Sequence, residues 1–172
     1  MKVIKVKLGD VGKAIQELEA YKKWLSEKTK ELIDRLAKIG VEVATARFKN
    51  AQYDGDNDVV VESPRWVDDN KMVLVARGNA VTFIEFGTGV RYTEVHPLAA
   101  DKGAIRGGYG KGKGNKRSWS YYGNPGTNGR VVRESSLGTV VRTEGNPPAM
   151  AMYEATKEMR EQIVRIAKEV FK

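Results

Sequence analysis

A glycine-rich basic segment, residues 102–133, constrains the fold of this chain more than any other feature. It holds eight Lys or Arg, nine Gly and no Asp or Glu, and the whole chain has a formal net charge of +8. Fixing each residue's backbone costs about 1–2 kcal/mol, and the segment has no apolar periodicity that would offset this cost. We therefore predict a flexible basic loop that is solvated, binds an anionic surface or orders on a partner.

The composition of the rest of the chain is that of one domain, residues 1–172, with this loop inserted. There is no cysteine, which excludes disulfides, thiolate catalysis and cysteine metal sites. The sequence contains no apolar run of about 18 residues, so we expect no membrane span, and the alternating N-terminus predicts no secretion signal. An isoelectric point near 9.6 favours polyanionic partners, DNA first.

Apolar residues spaced by three and four predict a long helix near the N-terminus, from about Val11 to Ile39, with Gly40 as its C-cap. At 1.5 Å per residue this helix spans about 42 Å, which is long for a domain of this size. Either it packs on its own sheet throughout, or part of it faces a neighbouring subunit. Residues 41–51 predict a second, short helix.

The C-terminal segment carries the most regular apolar stripe in the sequence, reaching Val170 in steps of three and four. Asn146 is a good N-cap and Pro147 suits the first helical position. We therefore predict a second long helix from this point, with its stripe facing either the core or another subunit.

Strands are predicted at residues 59–62, 71–77, 81–86 and 139–142, although the end of the third could instead turn helical. The predicted fold class is α+β. A small antiparallel β-sheet is packed by the long N-terminal helix and the long C-terminal helix, with the long Gly-rich basic loop added.

Catalytic residues are hard to find in this sequence. His96 is the only histidine, and because Pro97 follows it, a turn is a better interpretation than a general base. Glu85, if on a strand, would face away from its neighbours and would need a basic partner or solvent. The acidic cluster at 53–58 lacks the spacing of a calcium loop. We predict no enzyme activity, no cofactor and no metal.

The basic loop interleaves aromatic and cationic side chains. Bases stack on aromatic rings and phosphates pair with cations, so the loop could contact nucleic acid. An equal alternative is an arm whose aromatic rings pack against protein. The candidate contacts to DNA or to a partner are Arg106, Lys111, Lys113, Lys116, Arg117, Trp119, Tyr121 and Tyr122.

A short motif stands just ahead of this loop, where residues 83–89 read Phe-Ile-Glu-Phe-Gly-Thr-Gly. Its last five residues resemble the Glu-Phe-Gly-Thr-Gly hallmark of tailed-phage head–tail joining proteins, which include neck, tail-completion and minor capsid proteins. The resemblance extends over most of the chain. It includes the long first helix, His96-Pro97, the Trp-Ser-Tyr-Tyr-Gly string at 119–123, and Gly-Asn-Pro-Pro-Ala-Met-Ala-Met-Tyr-Glu-Ala at 145–155.

The resemblance implies a structural component of a bacteriophage or prophage virion, a neck connector or tail-completion protein in a ring of six around the DNA channel. It implies neighbouring connector, head-closure and tail-terminator proteins as partners, with possible non-specific contact to genomic DNA and no membrane. Assembly would occur in the bacterial host cytoplasm and the protein would reside in the virion. The alternative is a nucleic-acid-binding protein outside a virion that uses the basic loop. The assembly motif would be Glu85, Phe86, Gly87, Thr88 and Gly89.

Overall fold

The computed structural model describes residues 11–92, 94–108 and 115–172. In these ranges the chain forms helices and short strands in the order α1 (Val11–Lys49), β1 (Val60–Val61), β2 (Arg65–Asp68), β3 (Lys71–Val73), β4 (Ala76–Arg77), α2 (Val81–Phe86), β5 (Trp119–Tyr122), β6 (Arg130–Ser135), β7 (Gly138–Thr143) and α3 (Ala151–Val170). The predicted α+β class is confirmed, because a long first helix and a long last helix pack together beside small antiparallel sheets.

Helix α1 is longer than predicted. It runs through Gly40 and absorbs most of the separate helix predicted at 41–51, so the C-cap prediction was wrong. A Cβ on Gly40 would lie 2.8 Å from Met159 Sδ and 3.2 Å from Leu74 Cδ2. The glycine therefore permits close packing of α1 against α3 instead of ending the helix.

Helix α3 runs antiparallel to α1. Near its end Phe171 makes an edge contact with Trp24, at 6.0 Å between ring centroids, and Glu169 pairs with Arg35 at 2.6 Å. At its start Glu154 pairs with Arg47 at 3.5 Å. These contacts place α3 along the C-terminal part of α1.

The start of α3 differs from the prediction. The helix begins at Ala151, and its N-cap is Met150, which adopts a left-handed conformation with φ of 51° and makes no side-chain cap. Asn146 is fully buried and its side-chain amide donates to the Phe83 carbonyl at 3.1 Å. The predicted capping residue is thus used in a tertiary contact five positions before the first residue of the helix.

The strands form three antiparallel groups, with the orders β1-β4, β2-β3 and β5-β7-β6. Strand β5 and part of β6 lie inside residues 102–133, so the basic segment is not one continuous loop. The basic segment has few apolar residues to stabilise these strands. Two of its side chains, Tyr121 on β5 and Val131 on β6, are cross-strand partners of Val141, which is fully buried.

The core lies where α1, α2 and α3 meet. Residues 81–86 form a helix here, so the predicted strand was wrong and the helical alternative for its end was right. Asp58 holds the entry to this helix by accepting the backbone N–H groups of Asn79 at 2.7 Å and Ala80 at 2.9 Å. In the described part of the chain, no helix is long and apolar enough to cross a membrane. The buried cluster consists of Ala44, Phe48, Ala80, Ile84, Ala151 and Ala155.

Candidate functional site

The carboxylate of Glu85 caps helix α3 from a different part of the chain. Its Oε2 accepts the backbone N–H of Met152 at 2.9 Å, and its Oε1 accepts that of Tyr153 at 3.0 Å. These N–H groups belong to the first turn of α3, where no intrahelical acceptor exists and the helix dipole favours negative charge. Glu85 is only 5% exposed, so it performs the capping that Met150 cannot perform.

His96 is the second polar group of this buried site. Its Nε2 lies 3.2 Å from Glu85 Oε1, and its Nδ1 accepts the backbone N–H of Leu98 at 3.0 Å. Because Nδ1 is an acceptor, the ring proton sits on Nε2 and is donated to Glu85. The ring of Phe86 lies 4.4 Å from the imidazole and that of Tyr153 lies 5.4 Å from it, centroid to centroid. The partner that Glu85 needs is therefore this histidine together with a helix N-terminus.

The remaining residues of the motif interlock with the segment that enters α3. The backbone N–H of Thr88 donates to the Asn146 carbonyl at 2.9 Å, and the Thr88 hydroxyl donates to Asn146 Oδ1 at 2.5 Å while accepting the Asn146 N–H at 3.1 Å. Gly87 has φ of 78°, and a Cβ there would lie 2.8 Å from Pro148 N. Gly89 has φ of 80°, and its Cβ would lie 2.8 Å from the Glu144 carbonyl oxygen.

We call residues 85–89, His96 and 144–153 the motif cluster. It joins the two sequence strings on which the resemblance depends, because the Glu-Phe-Gly-Thr-Gly string contacts the Gly-Asn-Pro-Pro string directly. Glu85 and His96 are each at most 5% exposed, and three donors already occupy the carboxylate. The arrangement is suited to fixing α3 on α2, and it leaves neither group open to a substrate.

The three aspartates of the acidic cluster at 53–58 each bond to a different segment of the chain. Asp56 accepts the Asn124 side-chain amide at 2.8 Å, and Asp58 accepts the backbone of residues 79 and 80. Burial raises the pKa of Asp54, and a hydrogen bond from Thr143 opposes this shift. Burial, followed by the charge of Asp54, raises the pKa of Tyr121 to about 12. In the described ranges no three His, Asp or Glu side chains converge as metal ligands.

The structure separates the residues predicted to contact DNA. Trp119 and Tyr121 are half-buried and pair with buried Thr143 and Val141, so they lie on the core-facing side of their sheet. Tyr122 points to the opposite side and is 54% exposed. The other described candidates, Arg106, Lys116 and Arg117, are exposed on loops, whereas Lys111 and Lys113 lie outside the described residues.

The same exposed side of the sheet carries arginines that the sequence did not place. Arg130 is the direct cross-strand partner of Arg142, and Arg133 pairs with Val140, whose other partner is Tyr122. Residues three apart on a regular strand face opposite sides. A register shift between Val131 and Arg133 brings both β6 arginines to one face. We call Tyr122, Arg130, Arg133 and Arg142 the basic sheet face.

Comparison of this chain with protein-family models, with curated proteins and with solved structures found no match. The likeness to head–tail joining proteins therefore depends on the motif strings and their order along the chain.

Proposed function

We propose that this protein is a structural, self-assembling subunit of a phage or prophage virion, a head–tail connector or tail-completion protein that forms a ring. The motif strings support the family, and one structural observation supports the assembly: the N-terminal part of α1 extends beyond its intramolecular partner. The proposal assigns no catalytic step to any residue.

The overhang of α1 is defined by its packing with α3. Phe171, the C-cap of α3, contacts Trp24, and residues 11–23 of α1 precede that contact by about 20 Å of helix at 1.5 Å per residue. The buried residues of α1 begin only at Ala37. The first part of the helix therefore presents most of its surface to solvent.

An apolar stripe runs along this overhang. Val11, Ile15 and Leu18 are 58%, 52% and 58% exposed, and Leu25 continues the same face at 41%. Their spacing by four, three and seven residues places them on one side of the helix. Contiguous exposed apolar surface of this kind is typical of protein interfaces. A second copy of the chain is the partner that the proposed ring supplies.

The motif cluster suits the scaffold of such a subunit. It ties the first residues of α3 to α2 through buried hydrogen bonds, while direct packing of α1 on α3 keeps the two long helices in a fixed relation to each other. A fixed relation between the helices presents the overhang at a constant angle in every copy. Closed rings need a constant angle between successive subunits.

Sedimentation of the wild-type chain and of Ile15→Lys/Leu18→Lys tests the assembly. The wild type is expected to form a discrete oligomer as concentration rises, with rings in electron micrographs, because the stripe is covered by a neighbour. The double variant is expected to remain monomeric with an unchanged melting temperature, since both side chains are already exposed.

A matched control is Gln16→Lys/Ala20→Lys, which adds the same two charges on the opposite side of α1, where both residues are exposed. This variant is expected to assemble like the wild type. Assembly that survives the Ile15 and Leu18 changes, or a wild type that stays monomeric at every concentration and forms no ring, would contradict the proposal.

A further inference from the structure

We propose that the basic sheet face binds the phosphate backbone of a polynucleotide. Of its four residues only Tyr122 is among the proposed loop contacts, and the inference stands independently of ring assembly. It depends on three guanidinium groups and one aromatic ring that the tertiary structure gathers on an open sheet surface.

The sheet β5-β7-β6 has one covered side and one open side. On the covered side Val141 is fully buried and Thr143 is 3% exposed. On the other side Arg130, Arg133 and Arg142 are all exposed and Tyr122 is 54% exposed, whereas Val140, between Tyr122 and Arg133, is 9% exposed. Neighbouring strands lie about 4.8 Å apart and alternate residues about 6.7 Å apart along a strand, so these side chains form a compact array.

Within the described ranges, the positive charges on this face have no carboxylate partner. Among the described residues, none of the three arginines has a carboxylate within ion-pair distance, and the Glu134 carboxylate on β6 instead accepts the Thr139 hydroxyl at 2.9 Å. Arg130 and Arg142 stand directly opposite each other, and like charges in that position destabilise a sheet. An anionic ligand would relieve this repulsion.

A polynucleotide matches this array better than an acidic protein surface does. A duplex presents one negative charge per about 1.7 Å of its axis without interruption, whereas protein surfaces intersperse both signs. The arginine fork binds phosphate in a bidentate manner. Tyr122 adds an exposed ring on which an unpaired base could stack. The flat sheet has no helix to enter a groove, so contact with backbone phosphates is expected without sequence preference.

One end of the face adjoins further basic residues. At the β5 end, Arg142 donates to the Ser118 hydroxyl at 2.9 Å, and exposed Arg117 precedes this serine in the chain. A cleft of about 310 Å³ follows, and its lining includes Arg91 and Arg117 as well as Glu144. The anionic ligand is expected to run across the strands over the arginines, and the two arginines of the cleft extend the basic surface at this end.

The test measures fluorescence anisotropy of a labelled mixed-sequence duplex and of a labelled oligo-dT strand as salt is varied, with the full chain and Arg130→Gln/Arg133→Gln/Arg142→Gln. If all three arginines contact phosphate, the slope of log K against log salt falls by about 3 for the duplex and by about 2 for the single strand. Affinity at about 100 mM salt is expected to fall at least tenfold.

Two control variants separate this face from other sources of positive charge. Lys157→Gln/Arg160→Gln/Lys168→Gln removes three exposed cations from α3 and is expected to keep the wild-type slope. Lys111→Ser/Lys113→Ser/Lys116→Ser/Arg117→Ser tests the basic loop. If this loop variant abolishes binding while the sheet variant leaves it intact, the proposal is wrong.

Tyr122→Ala distinguishes the two nucleic-acid sources. If Tyr122→Ala lowers the affinity for the single strand alone by about tenfold, the face is assigned to unpaired strands. If Tyr122→Ala binds both substrates as tightly as the wild type does, the face is assigned to the duplex backbone. An unchanged salt slope in the sheet variant overturns the proposal. The proposal is also overturned if the sheet variant keeps the wild-type affinity for DNA but no longer binds poly-glutamate, because the partner would then be an acidic protein.

Discussion

The Glu85 carboxylate accepts the backbone N–H of Met152 at 2.9 Å, although the two residues are 67 positions apart in the sequence. This bond joins the last turn of the short helix α2 to the first turn of the long helix α3. It gives the Glu-Phe-Gly-Thr-Gly string a structural reason for its acidic residue: the string supplies the cap for a helix that lacks one of its own.

Replacing Glu85 with Ala is expected to destabilise the protein by about 2–4 kcal/mol. The change leaves the N–H groups of Met152 and Tyr153 and the His96 Nε2 proton without their acceptor in a buried site. Glu85→Gln keeps an acceptor oxygen but loses the charge that complements the helix dipole, so a smaller loss of about 1–2 kcal/mol is expected. Urea unfolding followed by circular dichroism measures both values.

The control for this series is Glu161→Gln, which removes a carboxylate from an exposed position of α3. It is expected to change the free energy of unfolding by less than about 0.5 kcal/mol. A Glu85→Ala protein as stable as this control would show that the capping bonds do not contribute.

Gly145→Ala is expected to be among the most damaging single substitutions in this chain. Gly145 has φ of 92°, and a Cβ there would lie 2.1 Å from the Thr88 carbonyl oxygen, a backbone atom that cannot move without displacing the motif cluster. Gly138→Ala has comparable backbone strain, with φ of 116°, but its Cβ would meet nothing within 4 Å.

Comparing these two glycine variants isolates the steric clash from the backbone strain. Backbone strain alone is expected to lower the free energy of unfolding of Gly138→Ala by about 1–2 kcal/mol. The added steric clash is expected to lower that of Gly145→Ala by at least about 2 kcal/mol more. Thermal unfolding of both proteins measures the difference. Equal melting temperatures would contradict the close contact between residues 88 and 145.

Asp54 is expected to make stability depend on pH. Burial holds the pKa of Asp54 above its ordinary value of 3.8, so the folded protein binds this proton more tightly than the unfolded chain does. The stability that protonated Asp54 contributes is therefore fully present below the pKa that Asp54 has in the unfolded chain, and it is lost as the pH rises through the pKa of Asp54 in the folded protein. At neutral pH the folded wild-type protein holds a partly buried, charged carboxylate.

Asp54→Asn removes that charge and keeps an oxygen that can accept the Thr143 hydroxyl bond. At about pH 7 we expect Asp54→Asn to melt at a higher temperature than wild type, with a gain of no more than about 0.5 kcal/mol in the free energy of unfolding. Near about pH 3 we expect no difference between the two proteins. Asp101→Asn, at an exposed position, changes the net charge equally and is the control. A gain in that control as large as in Asp54→Asn would mean that net charge, and not burial, is responsible.

Local sequence patterns determined the elements whose signals lie within a few turns of the chain. The periodicity of the N-terminal and C-terminal segments predicted the two long helices, because a 3.6-residue repeat of apolar side chains is sufficient to place a helix against a core. The α+β class followed from those helices and the short β-branched runs between them. Helix ends were predicted less well, as Gly40 and Asn146 show.

Tertiary structure decided the roles of individual residues. Gly40 and Asn146 look like helix caps to a local rule, but packing against Met159 and a hydrogen bond to the Phe83 carbonyl use them otherwise. The capping role of Glu85 depends on a helix that lies 67 positions away. The basic sheet face depends on a bulge in β6, since without that extra residue Arg130 and Arg133 would lie on opposite sides. Long-range contacts and register shifts leave no local pattern, and for that reason the sequence alone determined the framework of helices while only the folded chain determined the sites.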